Sequence, residues 1–145
     1  MSGGTTGRLY TPELLGLAVE LAGYPLTADL PLRGEARSRS CGSTVNMAVA
    51  LEGDRVSRIG LRVRACAVGQ AAAAIFARAA LGKSTGEIGA AHTAVAAWLA
   101  GAGSLPDWPG LGVLEPARAF PARHAAILLP WKAALAALNK QDAAS

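Results

Sequence analysis

From Thr44 the chain alternates apolar and small or polar positions: Val45, Met47, Val49 and Leu51 interleave with Asn46, Ala48 and Ala50. A period of two over this length predicts a half-buried β-strand. Glu52-Gly53-Asp54-Arg55 supplies a turn, and a second alternation follows, with Ile59, Leu61 and Val63 on one face and Arg58, Arg62 and Arg64 on the other. The two segments predict a hairpin with one packed and one wet face. Val56 falls out of step, which places a bulge near Ser57.

On either side the period becomes helical. Thr11-Pro12-Glu13 combines a capping threonine, a proline at the first helical position and an acid in the first turn, and Leu14, Leu17, Ala18 and Leu21 recur behind it. Residues 26–40, with a proline, a glycine and three arginines, predict a loop with room for one short edge strand. After Cys66, residues 68–81 form an alanine-rich helix carrying Ile75 and Phe76 and stopped by Gly82-Lys83. Ser84-Thr85-Gly86-Glu87 has capping-box spacing and opens a further helix with Ile88, Val95 and Leu99 on its buried stripe. Residues 101–112 predict a loop around Trp108. A last helix is expected from about Ile127 to Asn139, with Pro130 in its first turn, where a missing N–H costs little. Helix, hairpin, then helices is the order of an α+β fold: a small antiparallel sheet with helices packed on one face.

Composition sharpens this picture. A chain of 145 residues with 52% hydrophobic and 17% charged residues suits one globular domain. The expected division is a flexible tail at 1–8, a single domain over 9–139 and a second flexible tail at 140–145. The apolar fraction is rich in alanine and aromatics are 5%, which favours closely packed helices over a thick β-sandwich. No apolar run approaches the roughly 20 residues of a bilayer span, and the Ser/Gly/Thr-rich start lacks the apolar core of a signal peptide. Two cysteines without an export signal point to reduced thiols and a cytoplasmic protein. The net charge is +4, from 14 basic and 10 acidic groups. Arginines cluster at Arg37 and Arg39 and again at Arg55, Arg58, Arg62 and Arg64, but no aromatic platform interleaves them and no nucleic-acid motif accompanies them. A solvated strand face, open to an acidic protein partner, is the simpler reading.

Five pieces in order carry a resemblance: Cys41-Gly42-Ser43 before the first strand, Arg64-Ala65-Cys66 leading into the alanine-rich helix, Leu81-Gly82-Lys83-Ser84 closing it, Phe120-Pro121-Ala122-Arg123, and Leu129-Pro130-Trp131-Lys132-Ala133. Over residues 9–138 the chain resembles the IscU/NifU/SufU family of iron–sulfur cluster scaffolds, with the segment after Cys66 most like SufU. The resemblance implies an IscU/SufE-like sandwich. It also implies a site in which three cysteines and an aspartate or histidine converge at one exposed end to hold zinc or a nascent cluster. Cys41 and Cys66 fill the first two cysteine positions. Ser43 stands at the aspartate, Ala126 at the third cysteine and Ala125 at the histidine that precedes it in IscU. In the family the third cysteine is taken as the persulfide acceptor from cysteine desulfurase, so its loss bears on sulfur acceptance.

Zinc seeks four Cys, His or carboxylate ligands, and a cluster seeks thiolates. One chain offers two thiols. Read without the resemblance, Cys41 and Cys66 have 24 residues between them, which is no metal-ligand spacing, and free cysteines are commonly just small buried hydrophobes. Cys66, however, stands at a strand-to-helix transition, and a helix N-terminus favours a thiolate. Arg37, Arg39 and Arg64 add positive charge along the sequence nearby. Ser43 is a weak ligand because its hydroxyl keeps its proton. His124, two positions before Ala126, could replace a missing ligand if its loop turned inward; His92 reads as a packing or edge residue, and the three tryptophans as core or loop anchors.

The expectation is a non-enzymatic, scaffold-like protein of iron–sulfur cluster assembly, holding a metal ion or nascent cluster through Cys41 and Cys66, with Ser43 and His124 as subsidiary ligands. The cargo would be zinc or a [2Fe–2S] cluster shared by a cluster-dependent homodimer, and the partner a cysteine desulfurase or another assembly protein. The rival is a degenerate homologue that holds no cluster and serves as a protein-binding module, through its arginine-rich sheet face, or as a redox dithiol. Neither reading involves nucleic acid or membrane.

Overall fold

The computed structural model describes residues 9–144, with side chains to residue 140; the expected tail at 1–8 lies outside the described residues. Helix α1 spans Pro12–Glu20, and the Thr11 hydroxyl caps it by accepting from the Leu14 N–H at 3.2 Å. Leu14 and Leu17 point into the core. A 3₁₀ turn at Leu21–Gly23 follows.

The sheet is an antiparallel meander of β1 (Leu32–Arg37), β2 (Thr44–Glu52) and β3 (Arg55–Arg64) in the order β1-β2-β3. β1 is thus a full six-residue strand where the sequence allowed only a short edge within a loop. Its Leu32, Gly34 and Ala36 face inward, but Gly34 interrupts the apolar pattern and hides the strand from periodicity. The glycine is there because the last helix crosses so closely that a Cβ would collide with the backbone of Ala133–Ala137. Along β2 and β3, Ala50 pairs with Arg58 and Leu51 with Val56, leaving Ser57 as the bulged residue; its Oγ donates to the Ala50 carbonyl at 3.1 Å. The bulge expected near Ser57 is therefore present.

α2 (Ala67–Ala80) follows the sheet, and Ala71 to Ala74, Ile75 and Phe76 are all fully buried in it. Alanine here is what lets α1, α2 and the last helix approach closely. α3 (Thr85–Leu99) opens with the complete Ser84/Glu87 capping box. The expected loop beyond it is only partly a loop, since Leu111–Ala119 winds into a 3₁₀ segment that buries Leu111, Leu114 and Ala117. Trp108 stacks on Phe76 with centroids 5.3 Å apart, Trp131 meets both edge-on, and the Trp108 Nε1–H donates to the Ile75 carbonyl at 3.0 Å. The aromatics are core anchors, each worth about 1.5–3 kcal/mol or more of burial.

The last helix, α4, departs most from expectation. It spans Pro121–Ala144, beginning six residues before Ile127 and continuing past Asn139 through the segment expected to be a tail. Pro121 takes the first-turn role assigned to Pro130, and the run from Ala122 to Ala126 propagates readily. Pro130 is then interior and withholds the bond that the Ala126 carbonyl would otherwise accept. α4 lies across the inner face of β1 and β2, with α2 and α3 packed against it. The helices thus occupy one face of the sheet, the expected α+β sandwich. Among the described residues no helix is long and apolar enough to cross a membrane.

Candidate functional site: the thiol end of the sheet

The β1–β2 connection is a tight turn at residues 38–43. The Ser38 N–H donates to the Ser43 carbonyl at 2.8 Å and the Gly42 N–H to the Ser38 carbonyl at 2.9 Å. Gly42 takes φ +71°, the left-handed conformation that glycine adopts without steric cost, and this lifts Cys41 to the crest of the turn. Cys41 is exposed, yet its sulfur is not isolated. Sγ lies 3.0 Å from the Ser43 Oγ and 3.2 Å from the Ser38 Oγ, and both serines are buried at about 5% exposure. Hydrogen bonding to Ser38, then to Ser43, holds the Cys41 thiol below its ordinary value; partial burial opposes this and the Arg123 guanidinium adds to it.

Cys66 reaches the same end by another route. Thr44, at the start of β2, pairs with Arg64 at the end of β3, so the chain leaves the sheet beside the Cys41 turn. Two residues on, Cys66 is the N-cap of α2: its carbonyl accepts from the Gln70 N–H at 2.9 Å, while the Gln70 side chain donates to the Ala65 carbonyl at 2.9 Å. Cys66 is half-buried and both cysteines are free thiols.

α4 supplies the third wall. Ala126 is buried at 1% exposure and faces the first turn of α2: a Cβ built on Gly69 would sit 3.3 Å from that of Ala126 and 2.7 Å from that of Ala65. The position that the resemblance assigns to a third cysteine is thus adjacent to the Cys66 cap, and it is filled by a methyl group in a tight small-residue contact. One turn earlier, Arg123 faces Cys41 and donates to the Tyr10 hydroxyl at 3.0 Å.

The two subsidiary candidates are placed differently. The Ser43 hydroxyl is buried against Cys41 and acts as its hydrogen-bond partner. His124 Nε2 lies 3.0 Å from the Arg118 carbonyl. The ring is held by the 3₁₀ segment because α4 starts early and fixes His124 in its first turn, where a loop was expected. Among the described residues no three His, Cys, Asp or Glu side chains come together as a metal-binding group. His92 is half-buried between α3 and α4 with a buried, unpartnered Nε2, and burial, then Lys132, keeps its pKa below the ordinary value.

Sequence reasoning assigned the local positive charge to Arg37, Arg39 and Arg64. The cation acting on Cys41 is instead Arg123, brought in by the unforeseen first turn of α4. Ser38 was also missed, although the serine-rich run Ser38-Arg39-Ser40-Cys41-Gly42-Ser43 signals a turn with hydroxyls around a thiol.

Solved structures share this architecture from end to end. A NifU-like protein (N-terminal), described as nitrogen-fixing, from Brucella abortus superposes with a TM-score of 0.88 at 26% identity, covering 97% of this chain and 99% of that one. An iron–sulfur cluster assembly scaffold protein for the SUF system from Fervidobacterium islandicum AW-1 gives 0.78 at 20% identity, over 90% and 96% of the two chains. No protein-family model matches the chain, and no curated protein does. The fold, with one cysteine in the turn before β2 and one at the cap of α2, is the one these solved structures share. The chain is thus similar in fold to NifU-like and SufU proteins, and at 26% identity to the NifU-like one in sequence.

Proposed function

We propose that this protein acts in iron–sulfur cluster assembly as a scaffold that carries a nascent cluster as cargo on Cys41 and Cys66, completing the ligand set with a second copy of itself. The observation that carries the reading is the convergence of an exposed, hydroxyl-supported thiol and a helix-cap thiol at one end of the sheet. Two thiolates meet half the demand of a [2Fe–2S] cluster. A twofold contact of that end with itself supplies the other half, since an isologous interface presents each cysteine twice. Arg123 and its counterpart disfavour such a contact without cargo, and the anionic cluster offsets their repulsion. Assembly is therefore cluster-dependent. The sulfur donor is a cysteine desulfurase or another assembly protein.

One observation favours the alternative, a degenerate scaffold that binds proteins or cycles as a dithiol without holding a cluster: position 126 is a packed alanine, and among the described residues no third ligand joins the two thiols. Anaerobic reconstitution with iron and sulfide, followed by absorbance and light scattering, separates the two. The scaffold reading expects visible bands, one cluster per dimer, and loss of both in Cys41→Ser or Cys66→Ser. A colourless monomer overturns it.

A further inference from the structure

Among the described residues no helix packs on the outer face of the sheet, and its two halves differ. Over the β2–β3 turn half, the loop at 25–31 folds down: the Leu61 N–H donates to the Tyr24 carbonyl at 2.9 Å, and Pro25 and Leu30 cover Gly60. The arginines of that half are satisfied within the molecule, Arg58 by Asp29 at 2.7 Å and Arg33 by the Thr27 carbonyl.

The half toward the thiols is open. Strand register places Arg37, Thr44 and Arg64 in one row across the sheet and Glu35, Asn46 and Arg62 in the next. All six alternate with the inward-facing residues, so they share the outer face. Short side chains on the central strand and long ones on its neighbours make a trough of about 430 Å³, with Gly42 of the Cys41 turn in its lining. Arg37, Arg62 and Arg64 are exposed, and among the described residues none of them makes an ion pair or a side-chain hydrogen bond. Arg55, Arg58, Arg78 and Arg118 each pair with a carboxylate. Three guanidinium groups without a carboxylate partner thus share this one trough, with exposed Arg39 on the adjoining turn.

We propose that this trough docks an acidic segment of a partner protein, at least two carboxylates seated on Arg62, Arg64 and Arg37. Residues i and i+2 of a strand lie about 7 Å apart, the spacing of Arg62 and Arg64, and Arg37 stands two strand separations, about 10 Å, from Arg64. Alternate side chains of an extended acidic peptide repeat at the same 7 Å, and each guanidinium fork suits a carboxylate. The footprint is too short to follow a phosphate backbone, Glu35 lies within it, and no aromatic side chain on this face can stack a base. A segment docked here places its protein beside Cys41. The site is independent of whether the cysteines hold anything.

The test is titration of the ¹⁵N-labelled full-length protein with an alternating Glu–Ala octapeptide, its Gln–Ala counterpart and an eight-residue oligothymidine. The expected result is saturable amide shifts confined to both rows and Gly42 with the Glu peptide alone. They should weaken at least about tenfold in an Arg62→Glu/Arg64→Glu variant and in about 0.5 M salt. They should persist in Arg58→Glu and in Cys41→Ser/Cys66→Ser. Shifts spread over Arg55 and Arg58, equal binding of the Gln peptide, or no saturation would overturn the proposal. Tighter binding of the oligothymidine at the trough would replace it with a nucleic-acid surface.

Discussion

The two walls of the thiol end are built on opposite principles. On the turn side, Cys41 stands exposed with two buried hydroxyls and a guanidinium arranged around its sulfur. On the helix side, Ala65, Gly69 and Ala126 close the corner with small groups and leave no space. Position 126 holds a buried methyl group in close contact with α2, while the turn wall keeps a thiol held toward its anionic form. The corner therefore differs from side to side: α4 and α2 close it by packing, and the β1–β2 turn surrounds the Cys41 thiol with polar groups.

The largest effect that would break this contrast is on the packed wall. Gly69→Leu pushes a side chain into Ala65 and Ala126, where even a Cβ is too close. Overpacking of this kind costs about 3 kcal/mol, more than the roughly 1 kcal/mol that replacing a helical glycine returns. Thermal unfolding should show the loss. A variant as stable as the parent would mean that the α2–α4 contact is loose and that position 126 has room for a ligand.

On the reactive wall the effect is on rate, not on folding. Replacing both Ser38 and Ser43 by alanine removes the two hydroxyls that most stabilise the Cys41 thiolate, so its pKa should rise toward the ordinary value. Each unit of rise lowers the thiolate fraction about tenfold near neutral pH. Alkylation of Cys41 at pH 7 should slow accordingly, followed by mass spectrometry of the Cys41 peptide with Cys66 as internal reference. The linkage has a definite sign. A thiol whose folded-state pKa is depressed adds stability that is present above the unfolded value and is lost as pH falls through the folded value. The parent should therefore gain stability between those two pH values, and the double alanine variant should gain less. Equal alkylation rates would show that the serines only shape the turn.

Much of this architecture was legible because it rests on local rules. The period-two strands, the Ser57 bulge, the Thr11 cap and the Ser84/Glu87 box each follow from a few neighbouring residues. What stayed hidden depends on tertiary contact. β1 is concealed by Gly34, a glycine required by the crossing of α4, and α4 itself by Pro130, a proline tolerated in a helix interior only because the surrounding packing holds it. The early start of α4 then decided the site. It brought Arg123 to Cys41, gave His124 to the 3₁₀ segment and buried Ala126. The two thiols could be paired from the resemblance, but their support could not, since Ser38 and Arg123 meet Cys41 only through the turn and the helix.

The smallest expected effect concerns His124, which lies two positions from the packed Ala126 and belongs, on this geometry, to neither wall. Its Nε2 is 3.0 Å from the Arg118 carbonyl, and Arg118 is itself anchored: its Nε–H donates to the Trp98 carbonyl at 2.9 Å, and its guanidinium lies over the Trp98 ring, 5.2 Å from the centroid. A carbonyl held so firmly makes the imidazole a tie between α4 and the 3₁₀ segment, and a ring tied there is turned to the segment and not to the sulfurs. His124→Ala should then cost about 0.5–1.5 kcal/mol, the worth of one partly buried hydrogen bond. It should leave zinc uptake, cluster reconstitution and the alkylation rate of Cys41 unchanged. Thermal unfolding and metal titration on the same sample read the two predictions separately. A fall in metal uptake matching that of Cys41→Ser would make His124 a ligand beside the two thiols and overturn its assignment as a tie to the 3₁₀ segment.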